Sequence, residues 1–160
     1  MREASFDFGK KPPVDGYTKV VGDTLYSEEK GFGLFKNAEA EERKVGEKEL
    51  NRDFLFMGGN TFRVDIENGD YMVRVSTGDY VDEGDVMTFF TINGEKHGVW
   101  VKDGTVKELI FSVNVTEGKI EFAFENGKHT CLNSIDIAEK FDISLTGVKT
   151  TVTAKKNAAA

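Results

Sequence analysis

Residues 60–79, NTFRVDIENGDYMVRVSTGD, contain two runs in which apolar and polar residues alternate. The apolar positions of the two runs are Phe62, Val64 and Ile66, then Tyr71, Val73 and Val75. Successive side chains of a β-strand point to opposite faces, so each run predicts a strand with one buried face. The intervening Asn68-Gly69 step supplies residues that tolerate a positive φ, and it predicts a hairpin.

The same alternation continues through residues 85–101 and 107–127, with turns predicted at Asn93-Gly94, Glu117-Gly118 and Asn126-Gly127. Closely spaced turns indicate antiparallel strands, and strands with one buried face require a second sheet to cover it. The predicted fold class is therefore all-β, an antiparallel β-sandwich or jelly roll. The predicted core consists of Phe62, Val64, Val73, Val75, Phe111, Val113, Phe122 and Phe124.

The first third of the chain and its C-terminal end are less regular. SFDFG and GFGLF predict strands near the start, whereas the charged stretch 36–54 is compatible with one helical turn or a solvated crossover loop. We expect residues 1–140 to form the sandwich module and residues 141–160 to form a C-terminal strand and a linker.

Composition excludes several classes of protein. The formal net charge is -7 and the basic residues are interspersed with acids, which argues against a nucleic-acid partner. No apolar run is long enough for a membrane helix, and the single cysteine, Cys131, excludes an internal disulfide. We expect a monomer that contacts neither nucleic acid nor membrane.

Catalytic motifs are not evident. The sequence contains no G-x-S-x-G or Gly-Asp-Ser segment, and His97 and His129 are interpreted as surface or turn histidines. The acidic stretch 76–85, STGDYVDEGD, contains oxygen ligands that could bind calcium: Asp79, Asp82, Glu83 and Asp85. Their spacing differs from that of an EF-hand, so a solvated loop is the preferred interpretation.

Trp100 is the strongest candidate for ligand binding. It lies between Val99 and Val101, so its side chain is predicted to point away from the core and could stack on a sugar ring. The alternative is that Trp100 covers the C-terminal tail or belongs to a sheet that is buried on both sides. His97 and Lys102 are nearby in sequence and complete this candidate site. Tyr80, in the acidic loop, marks a second candidate that would need calcium to bind an acidic glycan such as galacturonate.

The opening stretch 6–35, FDFGKKPPVDGYTKVVGDTLYSEEKGFGLF, resembles bacterial pectin-active esterases of the rhamnogalacturonan acetylesterase type. The similarity consists of FDFG, then GYT-x-V, then YS-x-E-x-GFG, and residues 60–79 fit the continuation. It covers about residues 5–138, and the second half is also similar to malectin-type sandwiches. In that family this region looks like a galactose-binding-like β-sandwich that precedes a catalytic domain of the GDSL/SGNH hydrolase class.

The resemblance implies a non-catalytic carbohydrate-binding module of a larger, secreted bacterial enzyme, covalently linked to a catalytic domain. It implies no catalytic residue here, because the family's Gly-Asp-Ser segment has no counterpart in this chain. Plant cell-wall polysaccharide, with pectic chains first, is the expected partner. The alternative is a structural accessory domain of a carbohydrate esterase that binds no sugar.

Overall fold

The computed structural model describes residues 2–81, 84–127 and 129–140, and these residues contain β-strands, a single 3-10 turn at Glu49–Asn51 and no α-helix. The strands are β1 (Glu3–Phe8), β2 (Thr18–Val20), β3 (Phe32–Leu34), β4 (Ala40–Glu42), β5 (Asp53–Phe56), β6 (Thr61–Asp65), β7 (Gly69–Gly78), β8 (Val86–Ile92), β9 (Glu95–Val101), β10 (Val106–Val115), β11 (Lys119–Phe124), β12 (Cys131–Leu132) and β13 (Ser134–Glu139). The predicted all-β fold class is confirmed.

Two five-stranded sheets form the sandwich. The first sheet has the strand order β10-β7-β13-β1-β2, and the second has the order β3-β6-β11-β8-β9. A three-stranded sheet, β12-β5-β4, lies beside them. All the strand pairs are antiparallel except β1 with β2, which is parallel.

Aromatic side chains join the two large sheets across a shared core. Phe62 of the second sheet packs edge-on against Phe6 and Phe8 of the first, with ring centroids 5.0 and 4.9 Å apart. Seven of the eight predicted core residues are buried, and Phe111 is half-buried. Phe111 lies on β10, a strand at the edge of the first sheet, so that sheet provides a neighbouring strand on one side of it only.

The predicted hairpin at Asn68-Gly69 is wrong. β6 pairs with β3 and β11 in the second sheet, whereas β7 pairs with β10 and β13 in the first. The turn therefore carries the chain from one sheet to the other. Glu117-Gly118 does the same between β10 and β11. Two strands that face each other across a core have the same alternation as two that pair side by side, so the pattern does not distinguish them.

The hairpin at Asn93-Gly94 is confirmed. β8 and β9 pair directly up to Ile92 and Glu95, and the two turn residues have φ values of 53° and 80°. Positive φ at both positions is the geometry of a type I′ turn, whose twist matches that of the flanking strands.

The opening motif binds the start of the chain to the third sheet. Lys19 Nζ donates to Asp7 Oδ1 at 3.2 Å and to Asp53 Oδ2 at 2.8 Å, and both carboxylates are buried. The same two carboxylates accept hydrogen bonds from the backbone N–H groups of Val14 and Lys11. The loop between β1 and β2 is thereby held against β5. Desolvation raises the pKa of Asp7.

The charged stretch 36–54 contains the short strand β4 and the 3-10 turn rather than a solvated loop alone. The predicted C-terminal strand and linker, residues 141–160, lie outside the described residues, as do Asp82, Glu83 and Lys128. No helix in the described ranges is both long and apolar enough to span a membrane.

Candidate functional site

The outer surface of β8 and β9 contains the exposed aromatic group that the sequence predicts. Trp100 is 58% exposed, and Val101 beside it is buried, which confirms the predicted outward register. The indole Nε1 donates to Asp85 Oδ2 at 2.7 Å, and Asp85 Oδ1 accepts from the backbone N–H of Asp103 at 3.0 Å. This bond fixes the polar edge of the indole, so the ring is held in one orientation with its apolar surface in contact with solvent.

Phe89 extends this apolar surface, and the sequence analysis missed it. It pairs with Gly98 across the β8–β9 ladder, and its ring occupies the place where a Cβ on Gly98 would lie. Met87 lies opposite Trp100 in the same β8–β9 ladder. An aromatic residue opposite a glycine on neighbouring strands is a recognisable pattern. Phe89 and Gly98 could therefore have been identified from the sequence. We name these four residues, Met87, Phe89, Gly98 and Trp100, the Trp100 face.

Two lysines lie near the Trp100 face, Lys96 in space and Lys102 in sequence. Lys96 Nζ lies 5.7 Å from the centre of the Phe89 ring and 3.1 Å from Glu125 Oε2. Lys102 is exposed directly after the end of β9, and its backbone carbonyl accepts from Thr105. Ammonium and carboxylate groups beside an apolar surface can bond to the hydroxyl or carboxyl groups of a sugar whose ring stacks there.

His97 does not lie on the Trp100 face. It occurs at the alternate position of β9, where its imidazole stacks on Phe111 with ring centroids 4.0 Å apart and on Phe90 at 5.6 Å. Its Nε2 is buried without a hydrogen bond, although Glu95 Oε1 lies 3.5 Å away, a distance suited to an ion pair but not to a bond of good geometry. His97 therefore packs between β9 and β10, on the other side of the strand from Trp100.

Tyr80 lies in a groove of about 570 Å³ at the loop end of the sandwich. Residues of the 45–51 segment, Tyr80 and residues of the 104–108 segment line this groove. The Tyr80 hydroxyl accepts from the backbone N–H of Lys48 at 3.2 Å, and the ring covers Gly46 so closely that a Cβ there would collide with it. The 102–105 turn connects the two regions, since Asp103 bonds to Asp85 while Gly104 and Thr105 line the groove.

The two described acids of the predicted calcium site do not fit that role. Asp79 receives a two-point contact from Arg43, with both nitrogen–oxygen distances at 2.8 Å, and it also accepts from the backbone N–H of Val81. The oxygens of Asp85 bond to Trp100 and Asp103. Among the described residues, no three histidine, cysteine or acidic side chains are grouped to hold a metal ion. Asp82 and Glu83 lie outside these residues, so their predicted role stays a prediction.

Cys131 and His129 lie side by side in the chain without forming a reactive pair. The Cys131 thiol is buried and donates to the backbone carbonyl of His129 at 2.9 Å. Burial raises the pKa of the Cys131 thiol, which keeps it protonated and unreactive as a nucleophile. His129 is exposed, with a φ of 54°, as expected for a turn residue.

Solved structures share the fold. The Bacillus subtilis protein YXIM superposes with a TM-score of 0.70 at 24% identity, over 88% of this chain and 41% of that chain. Bacteroides uniformis beta-glucuronidase 2 superposes with a TM-score of 0.65 at 14% identity, over 87% of this chain and 18% of that chain. This chain thus spans less than half the length of either structure.

No curated protein sequence matches the chain significantly. The family described as "Beta-agarase/YXIM esterase-like, galactose-binding domain-like" matches residues 4–138, which include all the strands of both large sheets except the first residue of β1 and the last residue of β13. The galactose-binding-like fold that the opening motif implied is confirmed, and the chain belongs to this family.

Proposed function

We propose that the protein is a non-catalytic carbohydrate-binding module that holds a linked, secreted carbohydrate esterase on plant cell-wall polysaccharide. The single observation that carries the proposal is Trp100, an exposed indole whose orientation is fixed by Asp85 and whose apolar surface is continued by Phe89. The family description, which places such domains with agarases and esterases, supports the link to a carbohydrate-active enzyme.

The Trp100 face is suited to a chain of sugars. A pyranose ring presents C–H groups on one face that pack on an aromatic ring, while its hydroxyl groups point outward to polar neighbours. Both the indole and the Phe89 ring lie on strands, which are more rigid than loops, so little conformational entropy is lost on binding.

Pectic chains are the first candidate ligand. Their galacturonate units carry carboxylates, and the candidate partners are Lys96, which lies at the Phe89 ring and also pairs with Glu125, and Lys102, which is exposed two residues after Trp100. The groove at Tyr80 is lined by one lysine, Lys48, which lies 3.3 Å from Glu108, and by the further acid Glu47. We therefore propose the Trp100 face for a polyanion, since two lysines lie near it and one lines the groove.

Affinity gel electrophoresis in polygalacturonate and rhamnogalacturonan tests this proposal. We expect the parent protein to be retarded and Trp100→Ala to migrate freely, with a loss of about 1 to 3 kcal/mol, as for other aromatic stacking platforms. Phe35→Ala is the matched control, since Phe35 is also aromatic and exposed but lies outside the Trp100 face. We expect chelator to leave the retardation unchanged.

Other outcomes have distinct meanings. Retardation that survives Trp100→Ala but is lost with chelator would move the site to the acidic loop. If a broad panel of plant polysaccharides retards neither the parent nor the control, the carbohydrate-binding proposal fails and a purely structural accessory domain remains.

A further inference from the structure

The outer edge of β10 is the longest unpaired strand edge of the two large sheets. β10 is ten residues long, and β7 is its one neighbour in the first sheet. Among the described residues, the backbone groups of β10 that point away from β7 form no hydrogen bond with another backbone group. A row of such N–H and C=O groups can pair with a strand of another chain.

The other three edges of these sheets have features that disfavour such pairing. β2 and β3 are three residues long, and Leu25 and Ser27 form bridges to β3. β9 begins with two charged residues and contains Gly98. Short length, charged side chains and an internal glycine all weaken pairing with another chain. β10 has neither proline nor glycine, and its charges, Lys107 and Glu108, lie near its beginning.

The middle of β10 has apolar side chains that the described chain covers incompletely. Ile110 lies on the outer surface of the first sheet and is 56% exposed. Leu109 and Phe111 point to the core, but each is only half-buried. A strand added beside β10 would remove part of this apolar surface from water, which is favourable.

The sequence of β10 is compatible with antiparallel pairing to a second copy of itself. When the two Ile110 residues face each other across a two-fold axis, Leu109 of each copy lies opposite Phe111 of the other. Glu108 of each copy then lies opposite Ser112 of the other, and no two like charges are opposed. Apolar pairs stabilise neighbouring strands, whereas like charges directly opposite destabilise them. The symmetry makes every such contact between non-identical residues occur twice.

We propose that two copies of the chain pair through β10 in this antiparallel register, so that their first sheets form one continuous sheet. A dimer departs from the monomer expected from the sequence, because alternation does not show which strands lie at an edge. The pairing does not involve the Trp100 face, which lies on the outer surface of the second sheet. The dimer therefore carries two Trp100 faces, and simultaneous contact of both with one polysaccharide strengthens attachment. Only this last consequence rests on the proposed function.

Sedimentation velocity of the full chain without sugar, over a range of concentrations, tests the proposal. We expect the mass to rise with concentration towards twice 17.8 kDa. Ile110→Lys places two positive charges on the axis and should weaken the dimer at least tenfold. Ser112→Lys is the matched control, since it adds the same charge to the same surface of β10 but opposite Glu108 of the other copy. It should dimerise at least as tightly as the parent.

Cysteine variants test the register. Cys131, the single native cysteine, is buried, so an introduced cysteine is the only accessible thiol. A short-armed bismaleimide should crosslink Ile110→Cys into a dimer, because the Cβ atoms of directly opposed residues are about 4.5 to 5.5 Å apart. Asn114→Cys is the control, since its two copies would be about 26 Å apart at a rise of about 3.3 Å per residue. It should stay uncrosslinked.

Three results would overturn the proposal. The first is a parent that sediments as a monomer at every concentration. The second is a dimer that Ile110→Lys leaves intact or that Ser112→Lys disrupts to the same extent, because another surface or register would then join the copies. The third is equal crosslinking of the two cysteine variants.

Discussion

Lys19 shows most clearly how one residue supports the structure around the candidate sites. Its side chain is only 14% exposed and contacts two carboxylates that are 2% exposed, Asp7 and Asp53. Removing one member of a buried ion pair leaves an uncompensated charge, which costs about 3 to 5 kcal/mol. Lys19 and Asp7 of the opening motif therefore have a structural role.

We predict that Lys19→Met lowers the free energy of unfolding by about 3 to 5 kcal/mol in urea denaturation. Lys96→Met is the matched control, because Lys96 forms an exposed pair with Glu125 and should cost less than about 1 kcal/mol. Equal effects for the two variants would contradict the assigned role of Lys19.

The pH dependence of stability provides a second test at the residue scale. Because burial raises the pKa of Asp7, the folded state holds a proton more tightly than the unfolded state does. The contribution of Asp7 to stability is then fully present below its unfolded pKa and declines as pH rises through its folded pKa. Asp7→Asn lacks this decline, so its stability relative to the parent should rise with pH above the ordinary carboxyl range. A constant or falling difference would contradict the raised pKa.

At the scale of elements, the structure of the β8–β9 hairpin depends both on its local turn sequence and on side-chain contacts between its two strands. Its type I′ turn is dictated by Asn93-Gly94, but the outer surface depends on Phe89 lying directly over Gly98. A glycine in the middle of a strand is normally unfavourable, and here it permits an aromatic ring to cover the strand backbone. The Trp100 face therefore depends on the pairing of the two strands of the hairpin.

A double-mutant cycle tests this arrangement. We predict that Gly98→Ala destabilises the parent by about 1 to 3 kcal/mol, because the new Cβ collides with the Phe89 ring. In a Phe89→Ala background the same change should be neutral or stabilising by up to about 1 kcal/mol, since alanine restricts the unfolded chain. Additive effects, measured by thermal and urea denaturation, would show that the two residues do not interact.

For the molecule as a whole, the packing of the two large sheets decides stability. Phe62 contacts Phe6 and Phe8 across this interface, so Phe62→Ala leaves a cavity between the sheets. The interface also explains why residues far apart in the chain, such as those of β1 and β6, are both needed for one core.

Phe62→Ala is predicted to lower the free energy of unfolding by about 3 to 5 kcal/mol, as expected for a fully buried aromatic residue. The exposed Phe35→Ala should cost far less, and the half-buried Phe111→Ala should be intermediate. Urea denaturation of the three variants checks the order. Equal losses for Phe62 and Phe35 would contradict the assigned interface.

The sequence by itself determined the fold class, seven buried residues of the core, the Asn93-Gly94 hairpin and the outward register of Trp100. Each depends on the period of two along a strand or on the φ preference of a turn, and both are local properties. Only the tertiary structure decided that the Asn68-Gly69 and Glu117-Gly118 turns cross between sheets, because alternation does not encode a strand's partner. It also placed His97 on the other side of β9 from Trp100, paired Asp79 with Arg43 and brought Asn51 and Tyr80 into one groove. These contacts join residues distant in the chain, and they form only when the sheets pack.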